Sequence, residues 1–164
     1  MLEAVIGAML QAREGLWAEF VRLHRRMLAI ARGDAVCRRL TTVPGVGALV
    51  AVTFETAVDD PSRFRTAKAV GAHFGLTPKR YQSGDTDVTG GISKVGDATV
   101  RTALYEAANV MLTRTTRVSA PRRWALEVTR RRGAKRAKVA LARKLAGVLH
   151  ACGRTAPTSA GARR

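Results

Sequence analysis

Acidic residues are scarce in this chain. Twelve Asp and Glu stand against twenty-nine Lys and Arg in 164 residues, for a formal net charge of +17. That imbalance makes an anionic partner the expected one. Aromatic residues make up only 5%, so the core must be built from Val, Leu and Ala. The two cysteines, Cys37 and Cys152, lie far apart with no second cysteine at metal-ligand spacing. Lone thiols fit a reducing cytoplasm better than a disulfide framework. No apolar run reaches the ~18 residues that a membrane helix needs. The opening "MLEAVIGAML" carries Glu3 and no basic n-region, so it does not read as a secretory signal. A cytoplasmic protein without a membrane span is expected.

What is present is enough apolar surface for a core, 46% of the residues. The length suits one domain, or one domain with an arm. The positive charge is unevenly placed: +3 over residues 1–40, zero over 41–100, and +14 over 101–164, where sixteen basic groups face Glu106 and Glu127. Such an excess has its natural counterpart in a nucleic-acid backbone, where each neutralised phosphate releases counterions. A merely solvated basic face is the competing reading.

The chain reads as all-α: a long N-terminal helix, then a helical domain containing a helix-hairpin-helix. Leu2, Ile6, Met9, Arg13, Leu16, Phe20, Leu23, Met27 and Ile30 recur at alternating steps of four and three, broken only by Arg13. That heptad stripe fits either a coiled-coil arm over residues 1–33 or an amphipathic helix lying on the domain. Gly33-Asp34 ends it. The domain is expected over residues 34–152. It opens with Arg38, Arg39 and Leu40, then Pro44-Gly45-Val46-Gly47 leads into the apolar stretch Ala48–Val58. Two glycines before a helix N-terminus leave backbone N–H groups free for an anion. The segment looks like a helix-hairpin-helix clamp on DNA phosphates, with Gly45, Gly47, Arg38 and Arg39 as candidate contacts. Glycines in a hairpin between packed helices can also serve geometry alone.

Asp60 with Pro61 predicts a helix start, with Phe64, Ala67, Val70 and Phe74 facing inward and Gly75 as the stop. Asp97 predicts the cap of a helix burying Val100, Leu104, Ala107, Ala108, Met111 and Leu112. Ser119 and Pro121 start a basic helix around Trp124. A last helix alternates an Ala/Val/Leu face with Lys135, Arg136, Lys138, Arg143 and Lys144. Residues 153–164, small, polar and basic, are expected to be a disordered tail.

Between these helices lies "RYQSGDTDVTGGISKVGDATVR", Arg80 to Arg101, expected to be a flexible loop. Its Ser83 could act on a phosphodiester if a base took its proton and cations offset the phosphate charge. Lys79, Arg80, Lys94 and Arg101 are close in sequence and supply candidate cations. Gly84, Gly90, Gly91 and Gly96 would let the chain's backbone approach a phosphodiester closely. Asp85 and Asp87 are candidate bases or solvated turn residues, and His73 lies ten residues upstream. Taken alone, a serine in a Gly-rich loop such as Ser83 is more often a turn residue than a nucleophile.

The order of the pieces adds a resemblance. Gly75-Leu76-Thr77-Pro78, Ser83-Gly84 after four intervening residues, Gly91-Ile92-Ser93-Lys94, Gly96 and Arg101 together resemble the C-terminal transposase domain of bridge-RNA-guided recombinases of bacterial insertion sequences. The resemblance runs from about Leu40 to Leu149, and the upstream helix resembles the coiled-coil segment of the same enzymes. It implies that Ser83 attacks a DNA phosphodiester and forms a covalent link to DNA. Lys94 and Arg101 would then stabilise phosphate. The partners implied are DNA, a guide RNA, and a second copy of the chain through residues 2–30.

Members of that family also carry a ribonuclease-H-like domain with four metal-binding acidic residues ahead of the coiled coil. No strand pattern here spaces carboxylates for a two-metal site. No metal or cofactor is therefore expected in this chain, and Mg2+ only together with such an acidic domain. The chain is expected to be a truncated or split transposase, an enzyme only when that domain is supplied. The alternative is an inert remnant that binds DNA or dimerises.

Overall fold

The heptad stripe builds a single helix, α1 (Leu2–Gly33), in a computed structural model that describes residues 1–83 and 85–154. Nearly all of α1 faces solvent, and Ala31 is its one buried residue. Its apolar seam is left open, with Leu16 73% and Phe20 55% exposed. Of the two readings of the stripe, α1 therefore does not lie along the domain. Contact with the body is made near its C-terminal end, against α2 (Ala35–Leu40) and α3 (Ala48–Val58). Asp34 separates α1 from α2 by turning extended, and its Oδ1 accepts from the Cys37 amide at 2.7 Å. That supplies one of the partners that first-turn amides need.

The expected helix from Asp60 splits in two. Asp60 caps only a 3-10 turn, Pro61–Arg63, by accepting from the Ser62 amide. The chain then runs extended through Phe64, and α4 (Ala67–His73) starts under a separate cap, Thr66 Oγ1. Phe64 is buried as expected, but from an extended segment and not from the helix.

The segment expected as a loop contains the main departure from an all-α fold. Strands β1 (Pro78–Ser83) and β2 (Thr86–Ile92) pair antiparallel, with Arg80 opposite Thr89, Tyr81 opposite Val88, Gln82 opposite Asp87 and Ser83 opposite Thr86. A register irregularity lies between Pro78 and Arg80. Both strands are exposed on both faces apart from the partly covered Ile92. A ribbon that buries nothing lacks the alternating apolar pattern by which strands are read from sequence.

Helices α5 (Ala98–Thr113), α6 (Ala120–Arg132) and α7 (Ala134–Arg154) complete the body. Asp97 Oδ1 accepts from the Thr99 and Val100 amides, and Ser119 Oγ from that of Arg122, so both start signals act as expected. Helix α7 is the centre of the core. It packs on α4, α5 and α6, burying Leu141, Leu145 and Leu149 against Val100, Leu104 and Met111 of α5 and Val70 of α4. Each fully buried Leu contributes roughly 1.5–3 kcal/mol relative to exposure. The α4–α7 crossing is close because Gly71 and Gly147 carry no side chain where Arg143 and Ala67 approach. Helix α7 runs on through Gly153 and Arg154, two residues past the expected start of the tail. The remainder of that tail lies outside the described residues.

Candidate nucleophile and nucleic-acid interface

Ser83 is the last residue of β1, exposed, and paired across the ribbon with Thr86. Strand alternation sorts the ribbon into two faces. One carries Ser83, Tyr81, Thr86 and Val88, and the other Gln82, Arg80, Asp87 and Thr89. Asp87 therefore points away from Ser83. It is held instead by Arg80, whose Nε and Nη2 reach its two oxygens at 2.9 and 2.6 Å. The paired guanidinium holds the Asp87 carboxyl below the usual carboxylate range and raises Arg80. Arg80 thus bridges the two strands, with its charge offset by a partner. Lys79 is exposed near the ribbon base. Asp85 is exposed in the turn beside Ser83, and Gly84 lies outside the described residues.

Lys94 and Arg101 do not stand beside Ser83. Ser83 lies five residue steps along the strand from Pro78 at the ribbon base, about 16 Å at ~3.3 Å per step. Both cations belong to that base. The Lys94 amide donates to the Gly75 carbonyl at 3.1 Å, and Lys94 has φ +57°. Arg101 Nη1 donates to the carbonyls of Phe74 at 3.2 Å and Val95 at 3.3 Å. Arg101 thereby ties the end of α4 to the segment after β2.

Two glycines complete this joint. Gly75 has φ +67°, and a Cβ there would lie 2.2 Å from the Val95 oxygen. Gly96 has φ +81°, and its Cβ would lie 2.1 Å from the His73 oxygen. Gly96 therefore admits this protein's own backbone. Gly91 meets nothing within 4 Å and stays open. His73 is engaged in the core margin, its ring edge-on to Phe64 and Phe74 at 5.2 and 5.1 Å between centroids.

The segment from α2 to α3 divides its glycines in the same way. Gly45, at φ +84°, is pressed on α5, where a Cβ would lie 2.6 Å from the Ala107 oxygen. Gly47 is exposed with open space around it and begins α3 with no side-chain cap. Arg38 Nη1 donates to the carbonyls of Arg32 and Gly33, closing the end of α1. Arg39 has Nε and Nη2 buried without a hydrogen-bond partner.

Beside Arg39, Cys37 Sγ donates to Glu55 at 2.8 Å. Burial, reinforced by Glu55, pushes the Cys37 thiol up to about 12, and burial raises Glu55 above the usual carboxylate value. Asp34, Cys37 and Glu55 have ligand atoms within 4.8 Å of one another. A thiol kept protonated, with the Arg39 cation acting on Glu55, is a poor fit for Mg2+, which takes oxygen ligands in octahedral order. This cluster is better described as the joint of arm and body.

The free positive charge lies elsewhere. Arg130, Arg131, Arg132, Lys135 and Arg136 are all exposed around the α6–α7 turn at Gly133. Lys144 covers the Trp124 ring at 4.4 Å. Among the described residues, no helix is long and apolar enough to cross a membrane.

The hairpin and its face partners were missed by sequence reading. The signal that finds them is Gly84-Asp85, a favoured two-residue connection, between Tyr81 on one side and Thr86, Val88 and Thr89 on the other.

Residues 37–125 match the protein family described as Transposase IS116/IS110/IS902 family. The chain is 35% identical over 129 residues to "Transposase for insertion sequence element IS1111A" of Coxiella burnetii, covering 78% of this chain and 35% of that protein. It is 36% identical over 137 residues to "Probable family 20 transposase" of Pseudomonas aeruginosa, covering 83% and 40%. Over 99 residues it is 32% identical to "Transposase for insertion sequence element IS1328" of Yersinia enterocolitica, covering 60% and 30%. The chain thus spans about a third of the length of these relatives.

Proposed function

The chain belongs to the Transposase IS116/IS110/IS902 family, and from that premise we propose that it is the serine-bearing, DNA-handling part of an insertion-sequence transposase. The observation that carries this reading is the placement of Ser83, exposed at the tip of a ribbon that projects from a strongly basic helical body. In the reaction, the Ser83 hydroxyl attacks a DNA phosphorus, its proton passes to a base, and the displaced deoxyribose oxygen leaves. A phosphodiester to protein replaces one within DNA. Asp85 is the carboxylate beside Ser83 in sequence, and Asp87 is committed to Arg80. The acidic metal-binding domain implied by the resemblance, with its Mg2+, would be supplied by another segment, and a guide RNA would direct the site. The test is an adduct between the chain and element-end DNA, formed with that domain and guide supplied, that survives denaturation. No adduct under those conditions removes the catalytic reading.

Binding rests on charge. The exposed cations at the α6–α7 turn, Lys79 and the open first amides of α3 after Gly47 would take phosphates, whereas Arg38, Arg39, Arg101 and Gly45 serve the fold first. The observed DNA affinity is expected to fall linearly with salt on logarithmic axes, at a slope of about −0.9 per phosphate contacted. Anisotropy titrations at several salt concentrations measure it, and a flat response excludes phosphate binding.

The open seam of α1 would pair with a second copy of the chain through residues 2–30. Phe20→Asp puts a charge in the middle of that seam and should shift the chain from dimer toward monomer in analytical ultracentrifugation. Sedimentation of the unmodified chain as a monomer at high concentration would remove the paired arm.

A further inference from the structure

We propose that Tyr81 is a base-stacking residue, whose ring holds a DNA base one to two steps from the phosphodiester presented to Ser83. The inference rests on the reading that this ribbon meets DNA, and it adds what the ribbon grips.

Three observations carry it. The first is register. Tyr81 and Ser83 are two residues apart on a regular stretch of β1, so they share a face about 6.6 Å apart. Stacked bases rise ~3.4 Å per step along a strand, so a strand lying along this face with its phosphate at Ser83 brings a base to Tyr81.

The second is the ring itself. Tyr81 is 59% exposed, and it leans toward the ribbon base so that Cε2 lies 3.5 Å from the place a Cβ on Gly90 would occupy. Gly90 follows Val88 by two residues on β2 and so lies on the same face. The ring rests on the strand where no side chain stands, and a large part of it stays open. Val88, the cross-strand partner, is 53% exposed. Their cross-strand contact steadies the ribbon by only ~0.2–1 kcal/mol and leaves most of both side chains in water, whereas a nucleobase offers a flat apolar surface to meet them.

The third is charge. The ribbon's carboxylate–guanidinium pair, Arg80 with Asp87, is on the opposite face. The strand residues of the Ser83 face (Tyr81, Ser83, Thr86 and Val88) are all uncharged. A polyanionic strand can lie there without crossing a strand carboxylate, and Lys79 at the base draws it in.

The experiment is anisotropy of a fluorescein-labelled single-stranded oligonucleotide titrated with the full chain. Tyr81→Ala should weaken binding about 5- to 150-fold, the span of losing one base–aromatic stack. Tyr81→Phe keeps the ring and should bind within about 2-fold of the unmodified chain. Tyr81→Trp should also bind, with indole emission quenched by the oligonucleotide beyond any change contributed by Trp17 and Trp124 in the unmodified chain. Val88→Ala removes the cross-strand contact but not the ring, and should cost less than about 2-fold.

A loss with Val88→Ala as large as with Tyr81→Ala means the pair only holds the hairpin, and the inference falls. It falls too if Tyr81→Ala binds normally while binding keeps its salt dependence, which leaves the DNA reading standing. If the unmodified chain binds no oligonucleotide at any salt concentration, both fall together.

Discussion

Gly96→Ala should lower the stability of the domain by about 3–5 kcal/mol, a large share of the ~5–15 kcal/mol that holds a typical domain together. Two costs combine. At φ +81° an alanine enters a backbone region that L residues rarely adopt, at roughly 1–3 kcal/mol. The new Cβ would also sit 2.1 Å from the His73 oxygen and 3.2 Å from its carbonyl carbon. These atoms are backbone at the end of α4 and have no rotamer by which to move aside. The chain after β2 would have to lift off α4, loosening the Arg101 bonds to Phe74 and Val95. Gly91→Ala is the control, because it meets nothing within 4 Å and is not at positive φ. Urea unfolding followed by circular dichroism reads both. A midpoint for Gly96→Ala equal to that of the unmodified chain would show that this segment does not rest on α4.

Ser83→Ala should abolish the protein–DNA adduct, a loss on the order of 10³-fold or more, while shifting stability by less than about 0.5 kcal/mol. The separation follows from where the residue sits. Ser83 is exposed at the ribbon tip, and its strand pairing to Thr86 is made by backbone that alanine retains. Removing the hydroxyl therefore takes away the attacking oxygen and little of the fold. Denaturing gels of the chain with element-end DNA, its acidic domain and guide RNA measure the adduct, and thermal melting checks the fold. An adduct that persists in Ser83→Ala would place the nucleophile at another residue. Salt-dependent DNA binding unchanged in Ser83→Ala is also expected, since the basic surface is elsewhere.

Helix positions were legible in the sequence because their signals are local. The stagger from Leu2 to Ile30 writes α1 within one segment, and Asp97 and Ser119 carry acceptors that bond amides two or three residues on. Asp60 shows the limit of that logic. It caps as expected, but Thr66 offers a second cap six residues later and the helix forms there. The ribbon was harder still. Its strands bury almost nothing, so the apolar alternation that marks a half-buried strand was never written into them. The turn pair Gly84-Asp85 remained the only strong mark.

For the candidate site, sequence alone determined the residue types and their order: Ser83 after Pro78, the glycines, and a surplus of cations toward the C-terminal end. Those are properties of the covalent chain. Which group serves which purpose was decided only by tertiary structure. Arg38 closes α1, Arg39 has its Nε and Nη2 buried and acts on Glu55, and Arg101 ties α4 to the ribbon base. Gly45 and Gly96 make room for α5 and α4 and not for a ligand. Lys94 is near Ser83 in sequence yet at the other end of the ribbon. The physical reason is that a charge or a missing side chain has no fixed use of its own. Its use is set by the atoms brought opposite it, and those come from parts of the chain that local sequence does not connect.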